Sequence, residues 1–372
     1  ALRGIAMAQL GDFARAKSLL KRAGRAFGPR EAVARARCVV AEAEIALVAR
    51  DLGWPQKALA SAQATLEQHG DRLNAAHARY LEVRRLLLLG RLDAAERLLA
   101  GLNPIALPPA AQATHELVVA GIAIRRIRPS VARAALLRAE QAARAASIPA
   151  LMAEVESAVA TLNAPAARLI AHGETRSILL DAVETLLASD TVVIDACRTV
   201  VRRGDVIVPL VTRPVLFALV RTLAEAWPGD VSRSTLLVRA FGARHVDDSH
   251  RARLRVEIGR LRAELRPLLE ITATRHGFVL APRAHNLAVL APPVEEPHAR
   301  LLALLADGEA WSSSALAIAL GASPRTIQRA LEQLLSASKV QWVGHGRARR
   351  WLTPPIPGFP THLLLPGPLP SS

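Results

Sequence analysis

The stretch Ser249-His-Arg-Ala-Arg-Leu-Arg-Val-Glu-Ile-Gly-Arg-Leu-Arg-Ala-Glu-Leu-Arg266 is followed by Leu269-Glu-Ile-Thr-Ala-Thr-Arg-His-Gly-Phe-Val-Leu280, and the pair decides the fold of the C-terminal half. Leu254, Ile258, Leu261 and Leu265 recur at i, i+4, i+7 and i+11, which makes one apolar stripe on a helix. Arg251, Arg253, Arg255, Arg260 and Arg262 lie around that stripe. The two β-rich runs after it flank Arg275-His276-Gly277, which predicts a hairpin with a basic tip. Upstream, Thr191-Val-Val-Ile-Asp, Arg198-Thr-Val-Val-Arg and Val206-Ile-Val-Pro-Leu read as three short strands, the last two joined by the turn Arg203-Gly204-Asp205. Two helices should then begin at a Thr212 cap, with Pro214 in the first turn, and at a Ser232 cap.

Three strands, three helices and a hairpin, with Arg260-Leu261-Arg262 ending the third helix and Ile271-Thr-Ala-Thr-Arg-His-Gly-Phe as the hairpin, resemble the effector domain of the OmpR/PhoB response-regulator family over about residues 190–283. That family continues its Arg-Leu-Arg with a basic residue, where this chain has Ala263-Glu264, and the wing here is one residue shorter. The resemblance implies a winged helix whose third helix enters the major groove, with Arg251, Arg253, Arg255 and Arg260 facing DNA and Arg275 at the wing. No acidic receiver segment precedes it, so control is expected to come from something other than a phosphorelay on this chain. The competing reading of these arginines is a solvated helix face with pairs such as Arg253–Glu257 and Arg260–Glu264.

Residues 294–353 carry a second unit. Ala291-Pro-Pro-Val-Glu-Glu-Pro reads as a linker and His298 to Ala306 as a short helix. Ser312 caps a second helix, Gly321-Ala322 turns, and Ser323 caps a third with Pro324 at its first position. Ile327, Leu331, Leu334 and Leu335 form the buried stripe, which leaves Arg325, Thr326, Gln328 and Arg329 at the end where such helices reach base edges. Val340-Gln-Trp-Val, a Gly344-His345-Gly346 turn and Arg347-Ala-Arg-Arg-Trp-Leu form a hairpin with Arg347, Arg349 and Arg350 at its tip. The run Ser-x-Arg-Thr-Ile-Gln-Arg-x-Leu resembles the recognition helices of DeoR- and MarR-group winged-helix repressors. The Pro- and Gly-rich residues 354–372 read as a disordered tail.

The N-terminal half repeats. Gly11, Gly53 and Gly90 each follow a Leu and precede an Ala-containing helical run, and a fourth, degenerate turn falls at Arg128-Pro129-Ser130. Each glycine is expected to end one helix in the left-handed conformation, and Glu174 to Ser189 reads as a closing helix. The pattern resembles tetratricopeptide-type repeats over roughly residues 1–163, an array that implies a concave surface for a protein or peptide partner. The expected fold is therefore mainly α: a tetratricopeptide-like α-solenoid at 1–189, then two winged helix-turn-helix domains of α+β type.

Hydrophobic residues make up 51% of the 372 and aromatics only 3%, which fits helices with Ala- and Leu-rich cores. The net charge is +16, carried almost wholly by Arg, since Lys occurs only at positions 17, 21, 57 and 339. The excess extends over the N-terminal half and equally fits a bacterial genome of high GC content, so local placement carries the argument for a polyanionic partner. No apolar run approaches a membrane span, no signal peptide is recognisable, and the start without Met is read as incomplete. Cys38 and Cys197 read as two buried thiols in a reducing cytoplasm. Phosphate-loop, nucleophile-elbow and His-Glu-x-x-His patterns are missing. His245 with Asp247 and Asp248 reads as a turn cluster, so no metal, cofactor or catalytic residue is expected. Two functions follow as expectations: a cytoplasmic bacterial transcription regulator that binds double-stranded DNA, alone or as a homodimer, or a non-enzymatic adaptor whose winged helices serve assembly.

Overall fold

The computed structural model describes all residues except 1–2, 5–6, 8–11, 29, 105–106, 242–247, 285, 294–297, 306–309, 345, 347–348 and 354–372. The Gly11 turn, His245 and Asp247, Arg347 and the Pro-rich tail lie outside the described residues. The chain is mostly helical with added sheets. It divides into two compact units; the described residues of the first fall within Ala1–Arg126, Ser130–Thr161 and Glu296–Ser372, those of the second within Ile127–Pro129 and Leu162–Glu295.

The first unit opens with helices α1 (Phe13–Ala26), α2 (Ala32–Val48), α3 (Gln56–Gln68), α4 (Arg72–Leu88), α5 (Leu92–Ala100), α6 (Pro109–Arg125), α7 (Pro129–Ala146) and α8 (Pro149–Asn163). From α1 to α6 each helix packs on the next, and α2 also meets α4 and α4 meets α6. Alanines make this close stacking possible: Ala36, Ala43, Ala62, Ala75, Ala78 and Ala95 are all buried. Gly90 takes the left-handed conformation (φ +70°) expected at the end of α4. At the end of α2 that conformation falls on Arg50 (φ +49°) rather than on Gly53. Deep in the stack, the Tyr80 hydroxyl lies 3.1 Å from His115 Nδ1. Burial raises the Tyr80 hydroxyl to about 12, with Glu116 adding to the effect, and burial lowers the His115 imidazole.

The same unit contains the C-terminal helices α13 (Ala299–Leu305), α14 (Ser313–Leu320) and α15 (Pro324–Ser336) and the hairpin β10 (Gln341–Val343)–β11 (Arg350–Leu352). Leu301, Leu305, Trp311, Leu316, Ile327, Leu331 and Trp351 share one buried cluster with Leu47, Leu52, Leu59 and Leu66 of the helical stack. The expected free-standing 294–353 domain is thus corrected to a module built onto the stack. Trp311 is 0% exposed, and its backbone exchanges two hydrogen bonds with Trp351 at 2.8 and 2.7 Å. The Arg50 guanidinium lies 5.6 Å from the Trp311 ring centroid and donates to the Leu47 carbonyl at 3.0 Å.

The second unit holds β1 (Ala167–Ala171), β2 (Glu174–Ile178), α9 (Leu180–Ala188), β3 (Val192–Asp195), β4 (Val200–Arg203), β5 (Val206–Pro209), α10 (Pro214–Glu225), β6 (Val231–Ser232), α11 (Arg233–Phe241), α12 (Asp248–Leu265), β7 (Leu269–Ala273), β8 (Gly277–Pro282) and β9 (Leu287–Ala291). One sheet has the order β2-β1-β9-β3-β4-β5, and a smaller one has the order β6-β8-β7. Several sequence expectations are corrected, among them the burial of Cys197, which is exposed. Glu174 begins a strand, not a closing helix: β2 pairs antiparallel with β1 from Ala171↔Glu174 to Ala167↔Ile178, and only Leu180–Ala188 is helical. The unit also extends past residue 283, because Leu287–Ala291, buried at all five positions, is a central strand lying parallel to β3 and antiparallel to β1. Thr212 does not cap α10; its N-cap is Arg213, with no side-chain bond, and Pro214 stands in the first turn. The predicted α12 stripe is in place, with Leu254, Ile258, Leu261 and Leu265 at 0–2% exposure, each worth about 1.5–3 kcal/mol of burial.

Among the described residues, no helix is long and apolar enough to cross a membrane, and no group of three or more His, Cys, Asp or Glu is gathered as for a metal ion.

Two stability measurements test this packing. Gly277 pairs with Ser232, and a Cβ there would overlap the Val231 carbonyl oxygen and stand 2.7 Å from its carbon. G277A is expected to cost about 3 kcal/mol in denaturant unfolding. His115 binds a proton less readily folded than unfolded, so its contribution is present above its ordinary value of 6.5 and is lost as pH falls below it. H115F is expected to flatten the fall in stability between neutral and acid pH in thermal unfolding.

Candidate nucleic-acid interface

At roughly 100° per residue, the outward side of α12 divides into strips. Ala252, Val256, Gly259 and Ala263 run down its middle, all exposed. Arg251 and Arg255 line one side of that small-residue strip, and Arg253 and Arg260 line the other; all four are exposed. The sequence-predicted arginines are therefore present at the surface on two flanks rather than one. The Arg253 guanidinium lies 4.8 Å from the Phe241 ring centroid, a cation–π contact with the end of α11. Arg260 donates to Glu257 at 2.9 Å, and Glu264 pairs with Arg213, so the pairs Arg253–Glu257 and Arg260–Glu264 are replaced by others.

Beside α12, exposed Arg275 stands at the β7–β8 turn. Arg233, which the sequence reading treated only as the start of a capped helix, builds this turn. It donates to the Arg275 and Thr274 carbonyls, both at 3.1 Å, and covers Phe278 at 5.4 Å from its ring centroid. Thr274 donates to Asp230 at 2.5 Å and accepts from the Gly277 N–H at 2.9 Å. Arg262 ties the helix to the hairpin by donating to the Ile271 carbonyl at 2.8 Å. The only sequence signal for Arg233 was a basic residue directly after a strand-edge serine, and its partners lie about forty positions away.

In the C-terminal module, Ser312 and Ser323 cap α14 and α15, accepting from Ala315 N–H and Thr326 N–H at 3.1 Å each. Gly321 makes the turn in the left-handed conformation (φ +62°). Arg325, Gln328 and Arg329 are exposed, and Arg325 and Arg329 stand one turn apart on one face. Thr326 is exposed too, but its hydroxyl lies 2.8 Å from that of Ser323 and belongs to the cap. Of the hairpin arginines, Arg349 and Arg350 are described, and both meet other groups of the protein. Arg349 sits 4.6 and 5.9 Å from the ring centroids of Trp342 and Trp351. Arg350 lies near Asp51: burial would raise that carboxyl, but the Lys17 bond and charge, the Gly53 N–H and the Arg350 charge together lower it.

Comparison with protein-family models, with curated proteins and with solved structures finds no match for this chain.

The arrangement separates arginines that build the surface from those that the surface displays. R325A and R329A are expected to change unfolding free energy by less than about 0.5 kcal/mol. R233A, which removes two carbonyl partners and the cover of Phe278, is expected to cost about 1–2 kcal/mol and to speed amide exchange at residues 274–277.

Proposed function

We propose that the chain is a bacterial, sequence-specific, DNA-binding transcription regulator with no enzymatic activity of its own. Both C-terminal modules act as winged helices of the OmpR/PhoB-like and DeoR/MarR-like kinds, and the helical stack is a tetratricopeptide-like solenoid that receives a signal. The observation that carries the reading is the outward side of α12. A helix entering a groove needs small residues where it meets base edges and cations where phosphates pass on either side. Ala252, Val256, Gly259 and Ala263 meet the first need; Arg251 and Arg255 supply cations on one flank, Arg253 and Arg260, in contact with Phe241 and Glu257, stand on the other, and Arg275 adds a cation at the neighbouring turn. Arg325, Gln328 and Arg329 make a second, smaller set with donors suited to guanine and adenine edges. The displayed cations thus favour α12 as the main contact, because the second hairpin uses Arg349 within its own packing.

A specific feature favours a second reading, the protein-interaction adaptor. Strand β5 is the edge of its sheet, and Val206 and Ile207 on it are 49% and 50% exposed, a surface that suits pairing with another chain.

Duplex binding measured against salt decides between them. The regulator is expected to lose affinity with a log–log slope of about −0.9 per phosphate neutralised. R251A/R255A should make that slope shallower by about 2. R325A/R329A should cost about 1–3 kcal/mol on the preferred sequence and less on others. No duplex binding at low salt would overturn the regulator and leave the adaptor.

A further inference from the structure

The first unit holds a cavity of about 340 Å³ between α4, α6 and α8, at the lower end of the size range of small-molecule sites. Leu87, Leu117, Val118 and Ile124 give it apolar walls. Gly121 sits within α6, where a helix gains nothing from glycine. A Cβ there would stand 3.4 Å from Leu87 Cδ1, so the missing side chain keeps the wall recessed.

Charge at the cavity is unbalanced. Three guanidiniums, those of Arg50, Arg84 and Arg125, line it against the one carboxylate of Glu154. Arg84 is spent on Glu154 at 2.8 Å. Arg50 is committed to the Leu47 carbonyl and the Trp311 ring. Arg125 is exposed and has no carboxylate within ion-pair reach among the described residues. It lines the cavity at its solvent-open rim, beside the apolar walls. An anion that enters beside it meets a guanidinium with no acid already in place and gains a charge-assisted contact.

We propose that this cavity binds a small-molecule monocarboxylate with a compact aliphatic or aryl body, its carboxylate held by Arg125 and its body against Leu87, Leu117, Val118 and Ile124. The volume suits a small molecule rather than a folded partner, and the apolar walls with a single cation at the rim match an acid with one charged end. The site also touches the C-terminal module, because Arg50 both lines it and covers Trp311. That the acid is the signal rests on the regulator reading; that it binds does not.

Calorimetric titration of the full chain, without DNA, with octanoate and 3-phenylpropionate and with their uncharged amides tests the site. The acids are expected to bind at least about tenfold more tightly than the amides, the worth of a charge-assisted contact. R125Q should erase that difference and R125K should restore part of it. A158L, which adds bulk to the cavity wall, should weaken acids and amides alike, with near-ultraviolet circular dichroism verifying the fold. Equal binding of acids and amides, acid binding unchanged in R125Q, or no binding of either acid would overturn the proposal. A chain that binds octanoate but no duplex keeps the site and loses the regulator. A chain whose duplex affinity ignores bound octanoate keeps the site and loses its role as signal.

Discussion

The contact between the Arg50 guanidinium and the Trp311 ring joins the two ends of the first unit. Arg50 is 8% exposed and held with positive φ, a conformation that costs an ordinary residue roughly 1–2 kcal/mol. Its bond to the Leu47 carbonyl and its position over a fully buried indole offset that cost, because a desolvated cation–π contact is worth up to about 2 kcal/mol. Through Trp311 the contact reaches the base of the β10–β11 hairpin by two backbone hydrogen bonds. The C-terminal module therefore has no separate core. It shares the cluster of α2, α3 and α4, and whatever moves the α2–α3 turn bears on it.

In the second unit the comparable constraint is β9. A strand buried at every position must be paired on both sides, and β1 and β3 supply those pairs. This is why the unit starts before the expected winged-helix segment and ends after it: the β1–β2 hairpin and β9 are parts of one sheet with β3, β4 and β5. The smaller sheet packs with α10 to α12, and α12 presents its arginines on the side away from the Leu254–Leu265 stripe.

Arginine does three different jobs in this chain, which explains why a net charge of +16 said little. Arg233 and Arg262 anchor a hairpin through carbonyls, Arg349 and Arg253 lie on aromatic rings, and Arg84, Arg126 and Arg138 pair with carboxylates across helices. Exposure picks out Arg251, Arg255, Arg275, Arg325 and Arg329 at the two candidate surfaces, and Arg125 at the cavity.

Local pattern in the sequence determined the helices of both C-terminal modules, their serine caps, the Gly90 and Gly321 turns and the stripes that face inward, since these depend on residues within a turn or two, except that Leu335, expected in the stripe of α15, is exposed. It also placed Arg325, Gln328, Arg329 and the α12 arginines at the surface. Tertiary structure alone decided what depends on distant partners. It made Glu174–Ile178 a strand, put Leu287–Ala291 at the centre of a sheet, split the α12 arginines onto two flanks and laid Arg349 over two tryptophans. It also built residues 298–353 onto the helical stack through Arg50. A short apolar run carries no record of which strand will lie beside it, and a basic residue carries none of which ring or carbonyl will meet it. Those choices follow from packing between segments far apart in the chain.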